Sequence, residues 1–188
     1  MRYIDSLVSD LLKELKVDLS DDNFKDTPRR FADYLLQLFR TKKEDELALE
    51  TFKKAIFPTS YSGMVILKGS ECYGICPHHL LPVRYIVSIG YLPAGKVIGL
   101  SKLSRVADLC LQRPLLQETA TEELAKSLSV LLETEDVAVV VSGNHMCMTV
   151  RGVRKGRTST ITSSLKGQFL LPEVRAEFLH LTEFRKEK

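Results

Sequence analysis

Two short clusters, Cys76-Pro77-His78-His79 and His145-Met146-Cys147, hold two of the four cysteines and three of the four histidines of this chain. Thiolate sulfur and imidazole nitrogen are ligands that zinc prefers. Cys76, His79 and Cys147 would give three protein ligands and leave a fourth position open, which separates a catalytic zinc from a structural one. His78 and His145 would remain beside it as proton carriers. Activated water with proton carriers nearby is the minimum kit for metal-assisted hydrolysis. The bland alternative is a set of buried cysteines and satisfied core histidines. One Cys-x-x-His leaves that alternative strong, and the second cluster, ending a valine-rich strand, weakens it.

The segment running toward Pro82 reads as extended. Neighbouring side chains then point apart, so His78 and His79 should not share one ion: one binds and the other is freed. The same alternation separates His145 from Met146 and leaves Cys147 on the side of His145. The remaining cysteines, Cys72 and Cys110, read as buried packing residues.

Charged and polar residues surround this centre in the sequence. Ser101, Lys102 and Arg105 stand at a predicted helix N-terminus after Gly99, where free N–H groups and the dipole favour anions. Lys102 and Arg105 are three apart and share a face. Arg151, Arg154, Lys155 and Arg157 follow the second cluster, and Arg29 and Arg30 open an earlier helix. Forked arginine donors suit a polyphosphate, although Arg154, Lys155 and Arg157 read better as solvated charges. Glu118 beside Gln117 could accept two N–H bonds from the edge of a guanine; Gln-Glu at a helix start also reads as a cap.

The elements that must position these groups follow from periodicity. Residues 3–16 carry Ile4, Leu7, Val8, Leu11, Leu12 and Leu15 at helical spacing. Thr27-Pro28 reads as an N-cap and first helical residue for a helix to about Phe39. A short helix is predicted over 41–54. Strands are predicted over 64–73 and 81–93. Helices follow over 101–112 and 118–132, with a buried strand at 136–144. MTVRGV (148–153) and TSTITSSL (158–165) read as two more strands, and 173–185 as a closing helix. Strands paired through hairpin-like connections, with both helices between them, point to an α+β fold: an antiparallel sheet with helices on one face. We expect an N-terminal helical segment over 1–55 and one catalytic unit over 56–188.

The 188 residues, 44% hydrophobic and 27% charged with a net charge of +3, fit an ordinary globular chain with a real core. That mild charge does not by itself imply nucleic acid. No apolar run approaches a membrane span, and MRYIDSLVSD does not read as a secretory signal. Few cysteines in a chain of this length make a disulfide framework a poor reading, so a cytoplasmic setting is expected.

The combination of motifs resembles the GTP cyclohydrolase I family. The resemblance rests on Cys76-Pro-His-His-Leu-Leu-Pro, Gly90-Tyr-Leu-Pro, Val97-Ile-Gly-Leu-Ser-Lys-Leu-Ser-Arg105, Gln117-Glu118 and His145-Met-Cys-Met-Thr-Val-Arg-Gly152, in the family's order and spacing. It extends to Thr27-Pro28-Arg29-Arg30 and the Thr/Ser-rich 158–164, and covers about residues 20–185. It implies the tunnelling fold, a toroidal decamer with active sites shared between subunits, and conversion of GTP and water to formate and dihydroneopterin triphosphate. It implies Zn2+ on Cys76, His79 and Cys147, and His78 and His145 as acid–base groups. It puts Gln117 and Glu118 on the guanine edge and Ser101 by the ribose. Lys102, Arg105, Arg151 and a neighbouring subunit's counterpart of Arg30 would hold the triphosphate. The chain departs from the family pattern at Pro77, where a glutamate is usual, at Tyr85, where a glycine is common, and at Thr119, where an arginine is usual.

Two other readings stand beside this one. A same-family enzyme could feed a deazapurine or other specialised pterin route. A zinc-stabilised nucleic-acid module would use Arg151–Arg157, but it needs a fourth protein ligand, and His180 on the closing helix is a poor candidate. No nucleic-acid or membrane partner is expected.

Overall fold

The computed structural model describes residues 2–183. The last positions of the predicted closing helix, 184–185, lie outside them. The chain divides into two compact units, one up to Thr41 and one from Lys42 onward.

The first unit is a helix pair, α1 (Tyr3–Glu14) and α2 (Thr27–Leu38). Thr27, expected as the N-cap, is instead the first helical residue: Asp26 holds the cap position, and Pro28 sits within the first turn, where its missing N–H costs nothing. Arg2 joins the two helices by pairing with Asp5 at 2.8 Å and Asp33 at 2.7 Å.

The second unit opens with α3 (Lys42–Phe52), followed by β1 (Ile56–Pro58), β2 (Val65–Ile75), β3 (Pro82–Tyr91), β4 (Lys96–Ile98), α4 (Leu100–Leu111) and α5 (Gln117–Leu132). β5 (Val137–His145), α6 (Met146–Thr149), β6 (Thr160–Leu165) and α7 (Pro172–Thr182) complete it. The main sheet is antiparallel, in the order β2-β3-β5-β6, and β1 pairs with β4 in a separate ribbon. This is the expected α+β class.

Period-two burial builds two layers from the sheet. Val83, Tyr85, Val87, Ile89 and Tyr91 of β3 and Val137, Val139 and Val141 of β5 point to one face. There they meet Leu103, Val106 and Ala107 of α4 and Leu124, Ala125 and Leu128 of α5. The intervening Ala138 and Val140 point to the opposite face and join Phe169 and Phe178. Helices were expected on one face. The two long ones are there, and α7 covers part of the other.

The segment 148–153 is not a strand. Its β-branched residues follow directly on β5, but the chain turns back instead of extending. Met146–Thr149 winds into one helical turn, and the N–H groups of Val150 and Lys155 donate to the carbonyls of Met146 and Met148. Positive φ at Gly152 and Arg154 completes the reversal. These bonds hold the segment as a closed loop rather than as a rung of a sheet ladder.

Gly74 lies where α4 ends against β2. A Cβ there would stand 2.1 Å from the Leu111 carbonyl oxygen and 2.8 Å from the Tyr85 ring. Gly74→Ala should therefore lower the thermal unfolding midpoint, by an overpacking cost of about 1–3 kcal/mol. An unchanged midpoint would contradict so close an approach.

Candidate metal and catalytic centre

Antiparallel register builds the centre. Val83 of β3 stands opposite His145 of β5, and Pro82 stands opposite Ile75 of β2. The β2–β3 connection, carrying Cys76–His79, therefore lies at the same sheet end as the exit of β5, carrying His145–Cys147. Leu80 closes that connection in a left-handed conformation, φ 51°. Its N–H donates to the Cys76 carbonyl, and the Cys76 N–H donates to the Leu81 carbonyl, both at 2.9 Å.

Cys76, His79 and Cys147 each bring one ligand atom to within 4.8 Å of the other two. Among the described residues no other cluster of this kind forms. Tetrahedral zinc, with Zn–S near 2.3 Å and Zn–N near 2.0–2.1 Å, needs sulfur and nitrogen about 3.6 Å apart. Cys76 Sγ and His79 Nδ1 are 3.8 Å apart, so the donor set fits a zinc ion. Burial pushes the Cys147 thiol up, the Cys76 sulfur beside it adds to this, and Arg151 partly offsets both. Two thiolates so close are costly without a cation between them. Cys72 and Cys110, by contrast, are buried thiols pushed up by desolvation to about 12 and about 11. They are packing residues, as expected.

The alternation argument for His78 and His79 does not hold. Residues 77–79 form a turn, not an extended stretch. Both rings fold toward Cys76, with His78 Nδ1 at 3.9 Å from the sulfur. What separates the two histidines is Cys147: His79 shares the cluster with it, and His78 does not.

Cys76, His78, His145 and Cys147 line one cleft with Gln117 and Glu118, about 190 Å³ in volume. Two larger clefts, about 510 and 470 Å³, are lined mainly by α3 and α5 residues and carry none of these groups. The small cleft is the one that two of the three clustered residues, Cys76 and Cys147, share with His78 and His145. His145 is half-buried. Desolvation lowers its pKa, and the nearby Glu118 carboxylate opposes this. Its Nε2 lies 2.9 Å from Gln117 Oε1, and its ring meets Tyr85 edge-on at 6.2 Å. Glu118 is exposed at the start of α5, and Arg151 is exposed beyond Cys147.

The other expected residues are not gathered in this cleft within one chain. Ser101, Lys102 and Arg105 occupy the first turns of α4, and Lys102 Nζ lies 5.5 Å over the Phe52 ring. It is the far end of α4, at Leu111, that approaches Gly74 near the cleft. Ten residues of helix put Ser101 roughly 15 Å from that end. Arg30 belongs to the first unit, where it pairs with Asp26 at 3.2 Å. The sequence reading missed the burial of Gln117, 3% exposed. Its only signal was a glutamine facing inward at the start of an otherwise apolar helix stripe.

The family model of GTP cyclohydrolase I matches residues 4–183. The chain belongs to the GTP cyclohydrolase I family. The GTP cyclohydrolase 1 of Saccharomyces cerevisiae is 39% identical over 181 residues, 96% of this chain and 74% of that protein. The GTP cyclohydrolase 1 of Streptomyces griseus is 38% identical, over 94% of this chain and 88% of that one. That of Coxiella burnetii is 37% identical, over 93% and 96%. Among solved structures, an archaeosine synthase QueF-like protein in the apo form aligns with a TM-score of 0.44 at 19% identity, over 58% of this chain and 97% of its own. Membership in the cyclohydrolase family makes the chain an enzyme of the hydrolase class. No helix among the described residues is long and apolar enough to cross a membrane.

Zinc analysis of purified variants tests the ligand set. Cys147→Ala should lose the metal, because two ligands remain, whereas His78→Ala should retain it. Equal zinc content in the two variants would contradict the assignment.

Proposed function

We propose that this protein opens the imidazole ring of GTP by hydrolysis, releases formate and rearranges the remainder to 7,8-dihydroneopterin triphosphate, the entry step of pterin and folate synthesis. The observation that carries the reading is the convergence of the Cys76, His79 and Cys147 ligand atoms beside a cleft that two further histidines, His78 and His145, line, in a chain of this family.

Zinc held by Cys76, His79 and Cys147 with one open position would supply a water whose pKa falls to about 7, activated at neutral pH. His78 and His145 carry protons to the departing ring nitrogens and take them back as the ribose opens and the six-membered ring closes. Glu118 is exposed on the cleft, so its carboxylate can accept two N–H groups of the guanine edge, with Gln117 next to it in the chain. Arg151 lies close enough to Cys147 to act on its thiol electrostatically, and with Lys102 and Arg105 it would hold the triphosphate. Ser101 would lie at the ribose. Binding the phosphates, remote from the reacting carbon, orients the base for reaction.

The single-chain cleft supports a shared site. Its volume of about 190 Å³ is below the roughly 300–1,000 Å³ of ordinary ligand pockets. The proposed ribose and phosphate groups of α4 stand a helix length away. A neighbouring subunit would complete the cleft with its own Ser101, Lys102 and Arg105, and another with Arg30, in a homo-oligomer of the toroidal, decameric kind. Four free cysteines suit a reducing compartment such as the cytoplasm.

Incubation with GTP, followed by oxidation, should yield pterin fluorescence and formate equal to the GTP consumed. Chelated protein should be inactive and recover with zinc. Full turnover without metal would overturn the proposal, and a product mass other than that of dihydroneopterin triphosphate would move the enzyme to another branch of the family's chemistry.

A further inference from the structure

Gln117 is the first residue of α5, yet it is almost completely buried. Its carboxamide spans two strands. Nε2 lies 3.1 Å from the Val141 carbonyl oxygen of β5, 3.0 Å from the Thr160 carbonyl oxygen of β6 and 3.1 Å from Thr162 Oγ1. Carbonyl oxygens can only accept, so the end of the amide facing them must be the NH2. The usual ambiguity between amide oxygen and nitrogen is thereby removed by chemistry. The threonines close the circuit. Thr121 Oγ1 donates to the Gln117 main-chain carbonyl at 2.7 Å, so in its 2.6 Å contact with Thr162 it accepts. The Thr162 hydroxyl proton is thus spent on Thr121, which leaves its oxygen to accept from Gln117.

Oε1 is then fixed on the opposite side, 2.9 Å from His145 Nε2. An amide oxygen only accepts, so Nε2 must carry the hydrogen. A neutral imidazole has one N–H, and Nδ1 is left as its bare, accepting nitrogen. The Tyr85 ring, edge-on to the imidazole at 89°, bounds the same ring by packing. Gly143, paired in register with Tyr85, makes room for both neighbours. A Cβ on it would stand 2.2 Å from Gln117 Oε1 and 3.0 Å from Tyr85 Cε1.

We propose that Gln117 is a positioning residue: it holds neutral His145 as the Nε2–H tautomer and fixes its ring plane, instead of holding the substrate base. Both of its amide hydrogens are committed within the protein, so donating to a purine would break buried bonds. The guanine edge is then left to Glu118. The inference rests on the reading of His145 as a proton carrier in GTP hydrolysis.

The test uses full-length, zinc-loaded enzyme and two readouts. Steady-state kinetics with GTP should show Gln117→Met losing kcat by about 10- to 100-fold, part of what a general acid–base group contributes, with KM nearly unchanged. A KM that rises with kcat preserved means Gln117 binds the base, and overturns the proposal. Gly143→Ala keeps Gln117 but displaces its oxygen, so it should also lower kcat selectively. It carries the kinetic test if Gln117→Met fails to fold, and parent-like kinetics in it would count against the proposal. Nitrogen-15 NMR of histidine-labelled protein should show His145 protonated at Nε2 in the parent and that preference lost in Gln117→Met. An Nδ1–H tautomer in the parent would overturn the assignment outright. The spectrum is read without turnover, so it tests the tautomer even if the parent proves inactive on GTP.

Discussion

The structure depends on one pairing, the antiparallel register of β3 against β5 that sets Val83 opposite His145. Every group of the centre descends from it. Cys76 and His79 arrive from the turn that feeds β3, and Cys147 from the single helical turn that ends β5. Because side chains alternate along a strand, a slip of one residue would send His145 to the other face and draw Cys147 away from Cys76. The valines on both sides of the pairing prevent that slip. Val83, Val87, Val139 and Val141 are fully buried against α4 and α5, and a shifted register would expose them. Hydrophobic burial thus supplies the precision that ligand geometry requires.

The centre is built in graded polarity. Cys76 sits deep at 4% exposure and Cys147 is half-buried, while His78, His79, Glu118 and Arg151 stand at the rim. At Cys147, burial and the neighbouring Cys76 sulfur favour the neutral thiol, a preference that a bound dication would reverse. His145 lies between these zones, in contact with the buried Gln117 and in the field of the exposed Glu118. Pro77 is accommodated in the turn, which closes through Leu80 and Leu81 and asks no N–H of residue 77. Tyr85 fits because Gly74 and Gly143 flank it without side chains.

Much of this was legible in the chain. The valine run of β5, the alternation of β3 and the helical stripes of α4 and α5 are strong local signals, and they gave the sheet and its covering helices. The two Cys/His clusters could be paired because zinc's ligand preferences restrict the choice. What failed did so for tertiary reasons. His78 and His79 were read on an extended backbone, whereas the turn at 77–79 is closed by hydrogen bonds to residues on either side of it. Residues 148–153 have strand-like composition, but bonds from Val150 to Met146 and from Lys155 to Met148 fold the segment back on itself. The Gln117 network joins α5 to β5 and β6, and no local pattern announces a contact spanning more than forty residues. The separation of Ser101, Lys102 and Arg105 from the cleft is likewise a matter of where a helix of given length begins and ends.

The central claim is an ion held by two sulfurs and one imidazole with a position left open. X-ray absorption of the zinc-loaded enzyme tests it most directly. The account predicts two sulfurs near 2.3 Å, one imidazole nitrogen near 2.0–2.1 Å and one further light atom belonging to solvent. A shell of four protein ligands, or one containing a single sulfur, would contradict it.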